Sequence, residues 1–273
     1  MFRVAYIKAQ KEMEVYFFSL NSINAALFAS LFTWAVGSMG TLSLFVNKNP
    51  SNKFLDFMLG FSSGVMITTS FFSLLSRGLE VAETPFMPIF GFIIGAIFIR
   101  FLDVILPHLH IGHPLQDKEG IKTHWHKAIL FFSAVTLHNV PEGLALGTSF
   151  SDVSQHGINS SAFALTVGIA IQNIPEGLVV SFSLRREGVG LMRSSLLGIL
   201  SGFPEPVFSL LGAFVSSSYH GLISLFMGFA AGAMVFVVIE EAIPEAHRSG
   251  NVDLATGGAI TGITLMLLLE SLL

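Results

Sequence analysis

His138-Asn139-Val140-Pro141-Glu142-Gly143 is followed, after an interval of 34 residues (138 to 172), by Gln172-Asn173-Ile174-Pro175-Glu176-Gly177. One pattern is written twice, each copy in the middle of a long apolar run. A carboxylate at the centre of a bilayer costs roughly 2.5 to 3.5 kcal/mol on insertion scales, so two of them beside a histidine and amides need a compensating partner. No lysine or arginine is available at that depth. Glu205, between Pro204 and Pro206 in a further apolar run, adds a third carboxylate. The simplest missing partner is a metal cation.

The surrounding chain is built for a membrane. Of 273 residues, 52% are hydrophobic and only 12% charged, and the mean hydropathy of +0.71 lies far outside the soluble range. Apolar runs at 22–46, 54–76, 86–106, 127–150, 160–184, 191–216, 219–245 and 253–273 are each long enough to cross a hydrocarbon core of about 30 Å. They predict an all-α membrane protein of eight transmembrane helices, with 1–273 forming a single transmembrane domain. The first run follows Arg3, Lys8 and Lys11 but exceeds a signal-peptide core and lacks a small-residue cleavage site, so it reads as a span. With no cysteine there is neither a disulfide framework nor a thiolate metal site. A net charge of −4 is too small to point to nucleic acid.

Orientation follows from the 14 Lys and Arg residues. Arg3, Lys8, Lys11 and Arg77 lie on one side; Lys48, Lys53, Arg100, Lys118, Lys122, Lys127, Arg185, Arg186, Arg193 and Arg248 lie on the other. The richer side is cytosolic under the positive-inside rule, which predicts both termini outside.

The repeat extends beyond the hexapeptides. Gly60-Phe61-Ser62-Ser63-Gly64-Val65-Met66 in the second run returns as Gly228-Phe229-Ala230-Ala231-Gly232-Ala233-Met234 in the seventh, an interval of 168 (60 to 228). Gly91, Gly95 and Asp103 of the third run are echoed by Gly258, Gly262 and Glu270 of the eighth. Spans one to three therefore look like an inverted copy of spans six to eight, and span four like an inverted copy of span five. Such a 3+2+3 arrangement is expected of a transporter that alternates access around a midplane site at the repeat interface.

On a helix of 3.6 residues per turn, His138, Asn139 and Glu142 share one face, and Gln172, Asn173 and Glu176 repeat that geometry. Pro141 and Pro175 have no N–H for the carbonyls of Leu137 and Ile171, which predicts a kink with a free carbonyl beside each cluster. Carboxylates, a neutral imidazole and amide oxygens suit zinc, iron(II), manganese(II) or cobalt(II). Three negative charges exceed what one divalent ion neutralises. Either a second ion binds, bridged by Glu142 and Glu176, or one carboxylate is protonated.

These residues resemble the ZIP (Zrt/Irt-like) metal transporters, especially the bacterial ZupT-like branch, through H-N-x-P-E-G, Q-N-x-P-E-G, Gly64-Val65-Met66 and Ser201-Gly202-Phe203-Pro204-Glu205-Pro206. The resemblance covers nearly the whole chain. It implies eight helices with both termini outside, in the cytoplasmic membrane, and import of divalent metal, most often zinc. It assigns one metal site to His138, Glu142 and Glu176, with Met66 as a thioether sometimes added. An adjacent site falls to Asn139, Glu142, Asn173, Glu176 and Glu205. Gln172 stands where ZupT-like proteins often carry a second histidine, and an amide oxygen is a weaker zinc ligand than imidazole.

Other features are less specific. His108, His110, His113, His124 and His126 lie in the 107–126 connection, a mobile metal acceptor on the cytosolic side in the functional reading. Glu240, Glu241, Glu245 and His247 around Pro244 read as a waystation for the departing ion. Asp103 and Glu270 sit near helix ends, within reach of water, and receive no role. Two other functions compete with metal transport. An intramembrane metallohydrolase would be expected to show H-E-x-x-H, which is missing. A proton-coupled carrier of an organic cation would need aromatic residues rather than amides around its cargo. The chain thus reads as a carrier and not an enzyme, with the metal as cargo and no catalytic cofactor. Its partners are divalent ions and the lipid bilayer, with room for a homodimer and none for nucleic acid.

Overall fold

The computed structural model describes residues 21–46, 50–109, 116, 120, 127–150 and 160–272. These residues form long helices: α1 (Ser22–Phe45), α2 (Asn52–Val81), α3 (Phe86–Ile105), α6 (Leu191–Ser218), α7 (Ile223–His247) and α8 (Val252–Leu272), with α4 (Lys127–Ser149) and α5 (Ser160–Arg186) between them. Seven of them are long and apolar enough to cross a membrane, and α4 has the length to join them at 23 residues. Local chemistry sets several boundaries. The Asn21 side chain accepts the Asn24 N–H at 2.8 Å to start α1, and Ser51 caps Phe54 at the start of α2. Arg185 and Arg186 occupy the last turn of α5, where positive charge suits the helix dipole.

Two helices depart from simple spans. α2 continues past residue 76 to Val81 because it passes through a π-helical stretch, Thr69–Ser76, before a last α-turn. α7 has a similar stretch at Val238–Ala242. α6 breaks at Gly202-Phe203, since Pro204 has no N–H to continue the ladder; the helix restarts with Pro204 in its first turn. Glu205 therefore occupies the first turn of a new helix deep in the bundle, where the dipole favours an anion. Pro141 and Pro175, by contrast, lie inside helices that run on past them.

The helices pair through glycines. A methyl on Gly60 would stand 2.0 Å from the Ala255 carbonyl oxygen and one on Gly64 2.1 Å from that of Ala259, so α2 and α8 meet backbone to backbone. α7 meets α3 in the same way, through Gly228 on Pro88 (2.0 Å) and Gly232 on Phe92 (1.9 Å). Gly177 closes α5 on Gly37 of α1, and Gly143 closes α4 on Glu205 of α6, both at 2.4 Å. The result is an inner group, α1, α4, α5 and α6, beside an outer group, α2, α3, α7 and α8, joined mainly where α2 meets α5 and α7 meets α4. Leu74, Leu146, Phe150, Leu165, Ile169 and Met234 fill the end of the bundle where α5 and α7 begin and α4 ends. The opposite end holds cavities.

Candidate metal centre

Two cavities meet at Glu176. One is lined by Asn139, Asn173, Glu176 and Glu205 together with Trp34, Gly37 and Ser201. The other is lined by Ser62, Met66, His138, Glu176, Glu241 and Glu245. The two hexapeptides and the α6 restart thus bring His138, Asn139, Gln172, Asn173, Glu176 and Glu205 around one region, with Glu142 fully buried among them. Met66, 2% exposed, faces the same cavity as His138. Glu241 and Glu245 reach that cavity from the end of α7, whereas His247 lines neither.

The polar candidate ligands of the two hexapeptides, and Glu205, each already have a protein partner. Ser62 Oγ donates to Glu176 Oε1 at 2.7 Å. His138 Nε2 and Glu241 Oε2 are 2.6 Å apart. Gln172 Nε2 donates to Glu142 Oε1 at 2.6 Å, and Asn173 Nδ2 to Glu205 Oε2 at 2.9 Å. The Thr33 hydroxyl completes the coverage of Glu205, while the Asn139 amide donates to the Val135 carbonyl at 3.0 Å. In this arrangement, no three His, Asp or Glu side chains among the described residues stand close enough to hold one ion.

What remains open is a set of acceptors. Glu142 Oε2, Gln172 Oε1 and Asn173 Oδ1 are buried oxygens with no hydrogen-bond partner among the described residues. Each orphaned acceptor costs about 1 to 3 kcal/mol. A hydroxyl or amide brought beside one of them would relieve it; a cation would do the same and neutralise carboxylate charge as well. The donor set, hard oxygen with a nearby imidazole, fits a divalent ion of the zinc, iron(II) or manganese(II) kind.

The sequence did not single out the hydroxyls of Thr33 and Ser62, and no residue-type signal sets them apart. Hydroxyls in apolar helices commonly bond their own backbone, as Ser63 does to Leu59 at 2.8 Å. Asp103 and Glu270, expected to reach water, do not stand free. Asp103 is 3% exposed and held by Arg100 at 2.5 Å and His108 Nε2 at 2.9 Å, while Glu270 accepts from Ser73. His108 is fully buried rather than part of an exposed loop. Burial opposes its charge, but the hydrogen bonds to Asp103 and the Leu106 carbonyl, with the charges of Asp103 and Glu241, hold its pKa above the usual imidazole value. His110, His113, His124 and His126 lie outside the described residues.

Comparison with known proteins bears on the same residues. The family model described as ZIP Zinc transporter matches residues 108–270, which include both hexapeptides and Glu205. The chain is 36% identical over 250 residues to "Zinc transporter ZIPB" of Bordetella bronchiseptica, covering 88% of this chain and 78% of the relative. It is 30% identical over 333 residues to "Zinc transporter ZIP11" of Homo sapiens (92% and 97% covered). "Zinc transporter ZupT" of Chlorobium chlorochromatii is 32% identical over 257 residues (88% and 92%). With a helical membrane bundle that gathers the twin hexapeptides around buried, unpartnered oxygens, and relatives aligned over most of their length, the chain belongs to the ZIP zinc transporter family.

Proposed function

We propose that this chain imports divalent metal ions into the cytosol across a cytoplasmic membrane, zinc foremost and iron(II), manganese(II) or cobalt(II) as alternates. The observation that carries the reading is the pair of cavities that share Glu176, one lined by Asn139, Asn173 and Glu205 and the other by Met66 and His138, with the unpartnered oxygen of Asn173 belonging to the first lining. The ions occupy adjacent positions, one toward His138 and Met66 and one toward Asn139, Asn173 and Glu205, with Glu142 and Glu176 between them. An arriving ion replaces protein donors: Ser62 on Glu176, Gln172 on Glu142, and Thr33 with Asn173 on Glu205.

Alternating access is the mode of transport we assign, with helices one to three and six to eight as inverted repeats around α4 and α5. Matching intervals in the packing support it. Gly60 meets Ala255 as Gly228 meets Pro88, and Gly64 meets Ala259 as Gly232 meets Phe92. Gly143 meets Glu205 as Gly177 meets Gly37, with 37 and 205 again 168 apart. The cavities are lined from the later parts of α1, α5 and α7 and the early parts of α2, α4 and α6, the end that the charge bias assigns to the cytosol. With both termini outside, we read this arrangement as the inward-facing one, its outer end filled by the Leu74, Phe150, Ile169 and Met234 cluster.

Purified protein in liposomes, challenged with a panel of divalent ions, tests the reading. Uptake of zinc that saturates and is lost in Glu176→Ala at equal protein density is expected. No uptake of any divalent ion by the unmodified protein would sink it.

A further inference from the structure

Two hydrogen bonds at the site cross between the helix groups. Ser62 of α2 donates to Glu176 of α5 at 2.7 Å, and His138 of α4 meets Glu241 of α7 at 2.6 Å. In each, one partner belongs to the outer group and the other is a candidate ligand on the inner group. The contacts lie where α2 meets α5 and α7 meets α4, the main seams between the groups. A movement that separates α2 from α5 and α4 from α7 at this level would break both.

We propose that these bonds latch the metal-free carrier in the inward-open arrangement, with Ser62 as the positioning residue, so that metal binding and latching compete for the same side chains. An ion bound at Oε1 of Glu176 draws electron density from that oxygen and competes with the Ser62 hydroxyl for it, which weakens the bond. An ion on His138 takes the Nε2 that faces Glu241. A loaded carrier is therefore unlatched, whereas an empty one must break both bonds unaided to return outward. The slow step of net import is the return of the empty carrier, and metal on the cytosolic side speeds it.

The interval of 168 residues sharpens the argument. The position equivalent to Ser62 is Ala230, fully buried and without a donor. When the inner group swings to the opposite arrangement, the counterpart of the Ser62–Glu176 bond is a methyl facing Glu142. The hydroxyl latch thus exists on one side of the cycle only and favours the inward-open state. The inference rests on the alternating-access reading and adds to it a named asymmetry.

Liposomes carrying the intact protein, filled with or without unlabelled zinc, provide the test when radiolabelled zinc is added outside. For the unmodified protein, internal zinc should raise the initial rate of label uptake several-fold. In Ser62→Ala, net uptake into zinc-free liposomes should rise about tenfold or more, the loss of one hydrogen bond to a carboxylate. Exchange into zinc-filled liposomes, measured at saturating zinc on both sides, should change much less than net uptake, so the ratio of exchange to net uptake falls. Ser62→Thr, which keeps the donor, should retain the original ratio. Ser63→Ala, which removes a hydroxyl bonded to Leu59 in its own helix, should also retain it. Absence of acceleration by internal zinc in the unmodified protein would overturn the latch, as would Ser62→Ala changing net and exchange rates in equal proportion. In both cases zinc still moves and the transport reading stands, whereas liposomes that take up no divalent ion refute both.

Discussion

Glu142→Gln isolates what the carboxylate contributes from what its shape contributes. In the structure, Glu142 Oε1 accepts from Gln172 Nε2 at 2.6 Å and Oε2 is unpartnered, as is Gln172 Oε1. The new amide has two placements. If its oxygen keeps the bond to Gln172, its NH2 points where Oε2 offered lone pairs, and an ion meets a donor. If it turns over, Gln172 has to turn as well, and the Gln172 oxygen is then consumed by the new NH2. Either way the ion loses one acceptor and one negative charge, while a Gln–Gln hydrogen bond preserves the packing. Bonds to charged groups exceed neutral ones and contribute about 1.5 to 3 kcal/mol. Zinc binding should therefore weaken by at least about 10- to 150-fold. Titration calorimetry on detergent-purified protein measures the affinity, and a thermal melt without metal should stay within about 4 °C of the unmodified protein. A dissociation constant within twofold of the unmodified value, in a protein that melts normally, would refute the assignment of Glu142 to the ion.

Packing makes a second prediction. Gly232→Ala and Gly64→Ala each drive a methyl to about 2 Å from a carbonyl oxygen and should destabilise by about 1 to 3 kcal/mol or more, whereas Gly257→Ala, with nothing within 4 Å, should melt at or above the original temperature; equal melting of all three would contradict the glycine seams. Gln172→His should tighten zinc binding and shift competition against manganese toward zinc, since imidazole is the better zinc donor; an unchanged selectivity profile would mean that residue 172 does not reach the ion. The raised pKa of His108 makes its protonated pairing with Asp103 a stabilising contribution, present in full below about pH 6.5 and lost as pH rises through the raised value. The melting difference between the unmodified protein and His108→Gln should accordingly be largest in acid and shrink toward alkaline pH; a constant difference would show that His108 does not change charge in the fold.

The membrane class was legible because apolar runs of twenty residues and more with so few charges have no other stable home, and the structure has the long apolar helices they predict. The gathering of the hexapeptide residues and Glu205 was legible for a related reason: buried carboxylates without basic partners must share a neighbourhood. The break in α6 was not foreseen, although Gly202 and Pro204 carry its cause. The π-helical stretches left no mark in residue type, and neither did the choice of Ser62 over Ser63 to face α5. One-residue differences in helix phase decide such matters, and side-chain chemistry does not encode them. His108 reads as one of five loop histidines; only the placement of Asp103 and Glu241 around it removes it from that group.

The burial of α4 and α5 also constrains how this chain is made. α3 and α8 are mostly exposed and can enter the bilayer singly as ordinary apolar segments, while α5 is mostly covered by protein. A newly synthesised α4 released alone into lipid would hold His138, Asn139 and Glu142 in hydrocarbon, and α5 would do the same with Gln172, Asn173 and Glu176. Their donors and acceptors lie on each other and on α2, α6 and α7, so Glu142 gains its amide partner only once α5 has emerged from the ribosome. Release of the central pair as a hairpin would spare both helices that exposure, and Glu205 finds Thr33 only after the sixth helix follows. Quality control in the membrane would then read the polar contacts of the same residues that are proposed to bind the metal ion.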